Sequence, residues 1–132
     1  MKSFKEFSGN RPVFKVIEQI FVKDIGRMSA KIDSGNEAYN VLHGVNISFK
    51  DNNITFTTVD NISITCPFDG SINIHTGSGN KEERPVILRD ISIGDREFTN
   101  VPFSIADRSE NTEPILVGEP FLKKINALID LS

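Results

Sequence analysis

Arg27-Met28-Ser29-Ala30-Lys31-Ile32-Asp33-Ser34-Gly35-Asn36 is the stretch on which the fold turns. Its first six residues alternate polar and apolar, the two-residue period of a strand with one face buried. Ser, Gly and Asn then follow Asp33, and all three are turn formers, so the strand ends at the aspartate. A carboxylate is thereby set at the tip of a strand, where the sheet holds it rigidly. Gly35 allows a sharp turn and a close approach by another backbone. Ser34 offers a hydroxyl that can tie the loop to neighbouring main chain.

Working outward from this turn, strands prevail. Upstream, Val13 to Val22 reads as one bent strand, closed by a turn at Lys23-Asp24-Ile25-Gly26. Residues 1–11 are polar, carry Gly9-Asn10 and read as a flexible leader, leaving 12–132 as one domain. Downstream, Val45 to Phe49 and Ile54 to Val59 flank Lys50-Asp51-Asn52-Asn53 and form a hairpin by composition. Ile62 to Cys66 is a further strand. Phe68 to Lys81 contains Asp69-Gly70 and Gly77-Ser78-Gly79-Asn80 and reads as a pliable stretch. Val86 to Ile93 and Glu97 to Ile105 are strands around Gly94-Asp95, followed by a polar loop from Asp107 to Pro114. Ile115-Leu116-Val117-Gly118 is a short apolar run. Glu119 to Ile125 can form about two helical turns, with Pro120 tolerated in the first. Ala127 to Leu131 closes as a strand. Many short strands, one late helix and no long amphipathic helix give an all-β fold, a small closed barrel or sandwich.

Asp33 gives this pattern its chemical interest. Two such loops packed together would bring two carboxylates into contact. Like charges that close cannot both ionise easily, so the pair shares a proton. One member can then act as general base on a water while the other protonates a substrate carbonyl. Asp-Ser-Gly alone is also ordinary turn vocabulary, so the wider order of features carries the weight.

That order is strand, Asp-Ser-Gly, hairpins, apolar-apolar-Gly, helix, strand, and it resembles the half-sized fold of retroviral-type aspartic peptidases. Ala30-Lys31-Ile32-Asp33-Ser34-Gly35 followed by Val41-Leu42-His43-Gly44 is similar to one branch, the retropepsin-like bacterial proteins called "ATP-dependent zinc proteases". Lys81 to Ile87, Ala106-Asp107-Arg108 and Leu116-Val117-Gly118 match later segments of that family in order, so the likeness runs from about residue 13 to 131. It implies that Asp33 is the catalytic aspartate, that Ser34 braces the loop and that Gly35 is the turn glycine. It also implies that Gly118 packs beneath the loop. One chain supplies one aspartate, so the resemblance implies a homodimer that hydrolyses a peptide or amide bond without a cofactor. Asn36, Glu37 and Glu119 differ from the residues usual at those places. Two other activities fit the same fold: a catalytically silent binding or structural module, and a hydrolase of side-chain-linked glutamate or isopeptides. Met1 to Phe7 looks like the start of some small proteins of large tailed bacteriophages.

The remaining reactive residues have modest roles. The resemblance gives His43 a contact with substrate or with the Asp loop; a structural hydrogen-bonding histidine is the simpler reading. His75 reads as a loop residue. Gly77-Ser78-Gly79-Asn80 suits a flap over a cleft or a surface loop, and lacks the Gly-Lys-Ser/Thr of a phosphate loop. Asp107 and Arg108 are an internal ion pair or a solvated pair. Cys66, the only cysteine, reads as a small buried hydrophobe and excludes an internal disulfide. Cys66, His43 and His75 have no zinc-site spacing, so no metal is expected.

Composition bounds the alternatives. The 132 residues suit one domain with one core. A net charge of -3 leaves no cationic excess to neutralise phosphates, so nucleic acid is not an expected partner. No apolar run reaches the length of a membrane span and no apolar segment follows the N-terminal charges, so a cytoplasmic protein is expected.

Overall fold

The structure is a computed structural model that describes residues 11–37, 39–75, 79 and 81–132. The leader 1–10, most of the glycine-rich tip at 76–80 and the side chain of His75 lie outside the described residues. Twelve strands and one helix are defined among those residues. In chain order they are β1 (Val13–Lys15), β2 (Ile17–Val22), β3 (Gly26–Ile32), β4 (Asn40–His43), β5 (Val45–Lys50) and β6 (Asn53–Thr57). They continue with β7 (Ser63–Pro67), β8 (Ser71–His75), β9 (Lys81–Ile93), β10 (Arg96–Ala106), β11 (Ile115–Val117), α1 (Glu119–Lys124) and β12 (Leu128–Asp130).

The main sheet closes on itself. Its order is β10-β4-β11-β3-β2-β9, and β9 pairs back onto β10 to complete a six-stranded barrel. Closure removes the exposed edges that a small sheet would otherwise present. The inward residues follow the two-residue period: Met28, Ala30 and Ile32 of β3 are buried while Lys31 is exposed. They meet Ile20, Ile87, Phe103 and Ile115, each at most 1% exposed, in one core. A three-stranded sheet, β5-β6-β7, lays Ile54, Phe56 and Cys66 onto the same core.

Two strands differ from the sequence reading. Phe68 to Lys81 is not wholly pliable, because Ser71–His75 pairs with Lys81–Pro85 as an antiparallel hairpin. The long β9 thus serves β8 with its first half and β2 with its last residues. β4 was not legible as a strand. All four of its residues are buried between β10 and β11, so no alternation marks it. The bend expected in Val13–Val22 falls at Val16, and there the chain leaves β1 to begin β2.

Helix α1 begins and ends for identifiable reasons. Pro120 sits in its first turn, where no intrahelical donor is lost. Glu119 lies at the positive end and Lys123 and Lys124 at the negative end of its dipole. Asn126, at φ 57, takes the left-handed position that closes it. Phe121 turns inward onto β10, its ring 5.4 Å from that of Phe98 in an edge-on contact. No helix among the described residues is long and apolar enough to cross a membrane.

Gly44, between β4 and β5, is where the small sheet presses on the barrel. A Cβ there would collide with Cγ2 of Ile105 and lie 2.8 Å from Cδ2 of Phe56. Its backbone is not left-handed, so only space limits substitution. Gly44→Ala is therefore expected to cost about 1–3 kcal/mol by overpacking, read as a lower denaturation midpoint with an unchanged m-value.

Candidate active site

Asp33 sits one residue past the end of β3, and the neighbouring strand dictates its position. Strand β11 runs parallel to β3 in the register Ile115↔Ala30, Leu116↔Lys31, Val117↔Ile32. The ladder extends one step further, since the Asp33 amide donates to the carbonyl of Val117 at 2.9 Å. The aspartate is thus a continuation of the sheet, fixed at the main chain. β11 is held on its other side by β4, with Ile115 opposite Leu42 and Leu116 opposite Val41. A three-residue strand can be this well placed only because it is paired on both sides.

The loop beyond Asp33 is tied at both ends. Its carboxylate Oδ1 accepts the Gly35 amide at 3.1 Å, and its carbonyl accepts the Asn36 amide at 3.1 Å. The Asn36 carbonyl then accepts the Glu119 amide at 2.7 Å. Val117, Gly118 and Glu119 therefore underpin the whole turn. Gly118, between the two bonded residues, is buried. Glu119 is engaged locally, its Oε1 2.8 Å from Nζ of Lys123 one turn along α1.

Two sequence expectations are corrected within the single chain. Ser34 is exposed and its hydroxyl makes no hydrogen bond among the described residues, so it does not brace the loop internally. Gly35 is not left-handed, and an added Cβ would meet only Oδ1 of Asp33 at an ordinary 3.4 Å. The turn is held by main-chain bonds and by the Asp33 side chain, which leaves both residues at its open tip.

Asp33 is partly exposed and opens into a cleft of about 330 Å³. Lys31, Asp33 and Leu116 form one wall, and the loop from Arg108 to Glu113 forms the other. That loop is built, not loose. Nε of Arg108 donates to the Glu113 carbonyl at 2.9 Å, and burial pulls the Arg108 guanidinium below its ordinary pKa. Asp107 turns to Ser109, whose hydroxyl and amide both donate to its Oδ1; these bonds hold its carboxyl below the usual range. Asp107 and Arg108 thus go to different partners, which sets aside the internal ion pair, one of their two sequence readings.

His43 is not brought to Asp33. It ends β4 at the Pro114 level, where its amide donates to the Pro114 carbonyl at 2.8 Å. Its Nδ1 accepts the Arg108 amide at 2.9 Å and lies 3.9 Å from Oδ1 of Asp107. An acceptor there puts the ring proton on Nε2. The histidine is 8% exposed and anchors the 107–114 loop, the simpler of its two sequence readings. Cys66 is 5% exposed, and burial pushes its thiol up against the opposing pull of Arg89, as suits a packed hydrophobe.

The residue that sequence reasoning missed is Asn40. It is 3% exposed, its Oδ1 accepts the Gly118 amide at 2.9 Å, and its Nδ2 donates to the Pro102 carbonyl at 3.1 Å. The available signal was a polar residue directly before the apolar Val41-Leu42 pair. A buried amide with both ends satisfied joins the Asp33 loop support to β10.

No family model and no curated protein matches the chain. Among solved structures, the chain is similar to a Legionella pneumophila protein of unknown function carrying the label DUF785. The TM-score is 0.73 at 24% identity, and the match covers 91% of this chain and 93% of that one. A likeness at this identity speaks for the fold, and it agrees with the closed barrel and late helix described above.

Proposed function

We propose that the chain is half of an aspartic-type peptidase, and that two copies bring their Asp33 carboxylates together to activate a water against a peptide or amide bond. The carrying observation is the placement of Asp33: a partly exposed carboxylate, continued from β3 and bonded through its amide to Val117, with Gly118 buried below. The ordered motifs from Ala30 to Gly118 that resemble the retropepsin-like family lend this reading further support. In the assembled site the two carboxylates share one proton. The ionised member takes a proton from water as it attacks, and the protonated member donates to the carbonyl oxygen.

The pairing of β1 with β12 supports the dimer reading. β1 and β12 form a two-stranded parallel sheet, with Val13 opposite Leu128 and Lys15 opposite Asp130. It lies at the Asp33 end of the barrel, since Val16, directly after β1, accepts the Ile32 amide at 2.7 Å. Among the described residues, each of the two strands has one edge without a partner in this sheet, and Val13 and Leu131 are 58% and 81% exposed. Ser34 and Gly35 form the exposed tip of the loop, the part left to meet a partner.

The experiment is activity against concentration. Hydrolysis of an unfolded protein substrate should rise with the square of protein concentration below the dimer dissociation constant and linearly above it. Sedimentation over the same range should show monomer passing to dimer. Activity that stays linear while the protein remains monomeric would refute a shared site.

A further inference from the structure

Asn40 belongs to none of the motifs above, yet it bonds to the segment on which the Asp33 loop rests. Only a carbonyl oxygen can accept from the Gly118 amide, and only an NH₂ group can donate to the Pro102 carbonyl. The orientation of the Asn40 amide is therefore fixed by its partners. The Asn40 main-chain carbonyl also accepts the buried Ser104 hydroxyl at 3.3 Å. Its own position is thus set by strand β10, on the far side from the loop.

The bonds to the loop flank Gly118 on both sides. The residue before it, Val117, accepts the amide of Asp33, and the residue after it, Glu119, donates to Asn36. Gly118 is extended, at φ -99 and ψ 173, and its amide is the one main-chain donor between those two bonds. Asn40 takes that donor. If the amide were left without a partner in a buried site, the segment would shift to find one, and both ends of the Asp33 turn would shift with it.

We infer that Asn40 is a positioning residue for Asp33: by holding Gly118, it sets where the carboxylate stands relative to the second copy. The catalytic half of this inference rests on the peptidase reading. The half that concerns the loop does not. Asn40 is buried and reacts with nothing, so its loss should act on turnover more than on substrate binding. A misplacement of about 1 Å costs on the order of 10²-fold in rate, and that is the kcat loss expected for Asn40→Leu, with KM changed less than about threefold.

The test uses two variants of the full chain. Asn40→Leu keeps the branched heavy-atom skeleton and removes both side-chain bonds. Amide hydrogen exchange should then quicken more than about tenfold at Asn36, Gly118 and Glu119, while amides of β9 and β10 keep their protection. Asn40→Asp is the conservative rescue. When protonated it offers the same acceptor and donor; when ionised it opposes a carboxylate to the Pro102 carbonyl. Glu97 and Lys124 line the cavity that Asn40 touches, Glu119 follows Gly118, and Asp33 lies across the loop. All four are common to both proteins, so the ratio of the variant's kcat to that of wild type is the quantity to follow. It should rise at least tenfold as pH falls, while the Asn40→Leu ratio stays flat. Unchanged exchange at the three loop amides, or a flat Asn40→Asp ratio, overturns the inference. If Asn40→Leu does not fold, exchange in Asn40→Asp at high and low pH decides in its place. Should wild type hydrolyse nothing, the peptidase reading fails and exchange alone decides whether Asn40 holds the loop.

Discussion

Asp33→Asn is expected to lower hydrolysis at least about 10³-fold while leaving the fold intact. The size follows from the symmetry of the proposed site. One substitution in the gene changes both carboxylates of the dimer, so the base that takes a proton from water and the acid that protonates the carbonyl are lost together. Each such role contributes about 10²–10⁴-fold. The fold survives because the structural duties of Asp33 do not need its charge. Its amide donates to Val117, and its Oδ1 accepts the Gly35 amide; an asparagine oxygen can do the same. The side chain is partly exposed, so the change should move stability by less than about 0.5 kcal/mol.

The same substitution separates this reading from a silent barrel that only binds. In a binding module, Asp33→Asn should leave partner affinity and self-association near wild type, and no cleavage would exist to be lost. The informative measurement is a time course on an unfolded protein substrate, wild type against variant at equal dimer fraction. A variant that cleaves at the wild-type rate would remove Asp33 from the chemistry whatever the fold resembles.

How far the sequence disclosed this molecule depended on whether each element left one face in solvent. β3 alternates Met28, Ala30 and Ile32 inward with Ser29 and Lys31 outward, and its end at Asp33 could be read directly. β4 is buried on both faces, carries no period and passed unseen, and with it went Asn40. β8 was masked by the turn residues around it; only its pairing with β9 makes it a strand. Asp33, Gly35 and Gly118 were legible because the turn and the apolar-apolar-Gly run are local in sequence. What lies between them is not local. Asn40 reaches across 78 positions to Gly118, and His43 across 65 to Arg108. No window of sequence contains either pair. Ser34 shows the converse, since its local chemistry was clear but the described residues supply no partner for its hydroxyl.

Phe56→Ala is expected to cost about 3–5 kcal/mol, the largest effect on stability proposed for this chain. Phe56 is fully buried on β6, and its neighbours in the ladder are Ile64 of β7 and, two residues away on the same face, the pair Ile54 and Cys66. The ring lies against the Gly44 backbone, where a Cβ would approach its Cγ to 3.2 Å. That contact joins the three-stranded sheet to the barrel, and truncation would leave a void lined on one side by main chain that cannot collapse into it. Against a total stability of about 5–15 kcal/mol, such a loss is large enough to leave the variant marginal at physiological temperature. The two sides of the contact should also be coupled. In Gly44→Ala the new methyl strikes both Phe56 and Ile105; with Phe56 truncated, its ring no longer obstructs the methyl, which can shift from Ile105 into the void. The double variant should therefore be less destabilised than the sum of the single ones, by about 0.5–3 kcal/mol. Denaturant midpoints for the four proteins of the cycle measure this directly. Strict additivity would mean that Phe56 does not pack on Gly44, and that the small sheet is fastened to the barrel elsewhere.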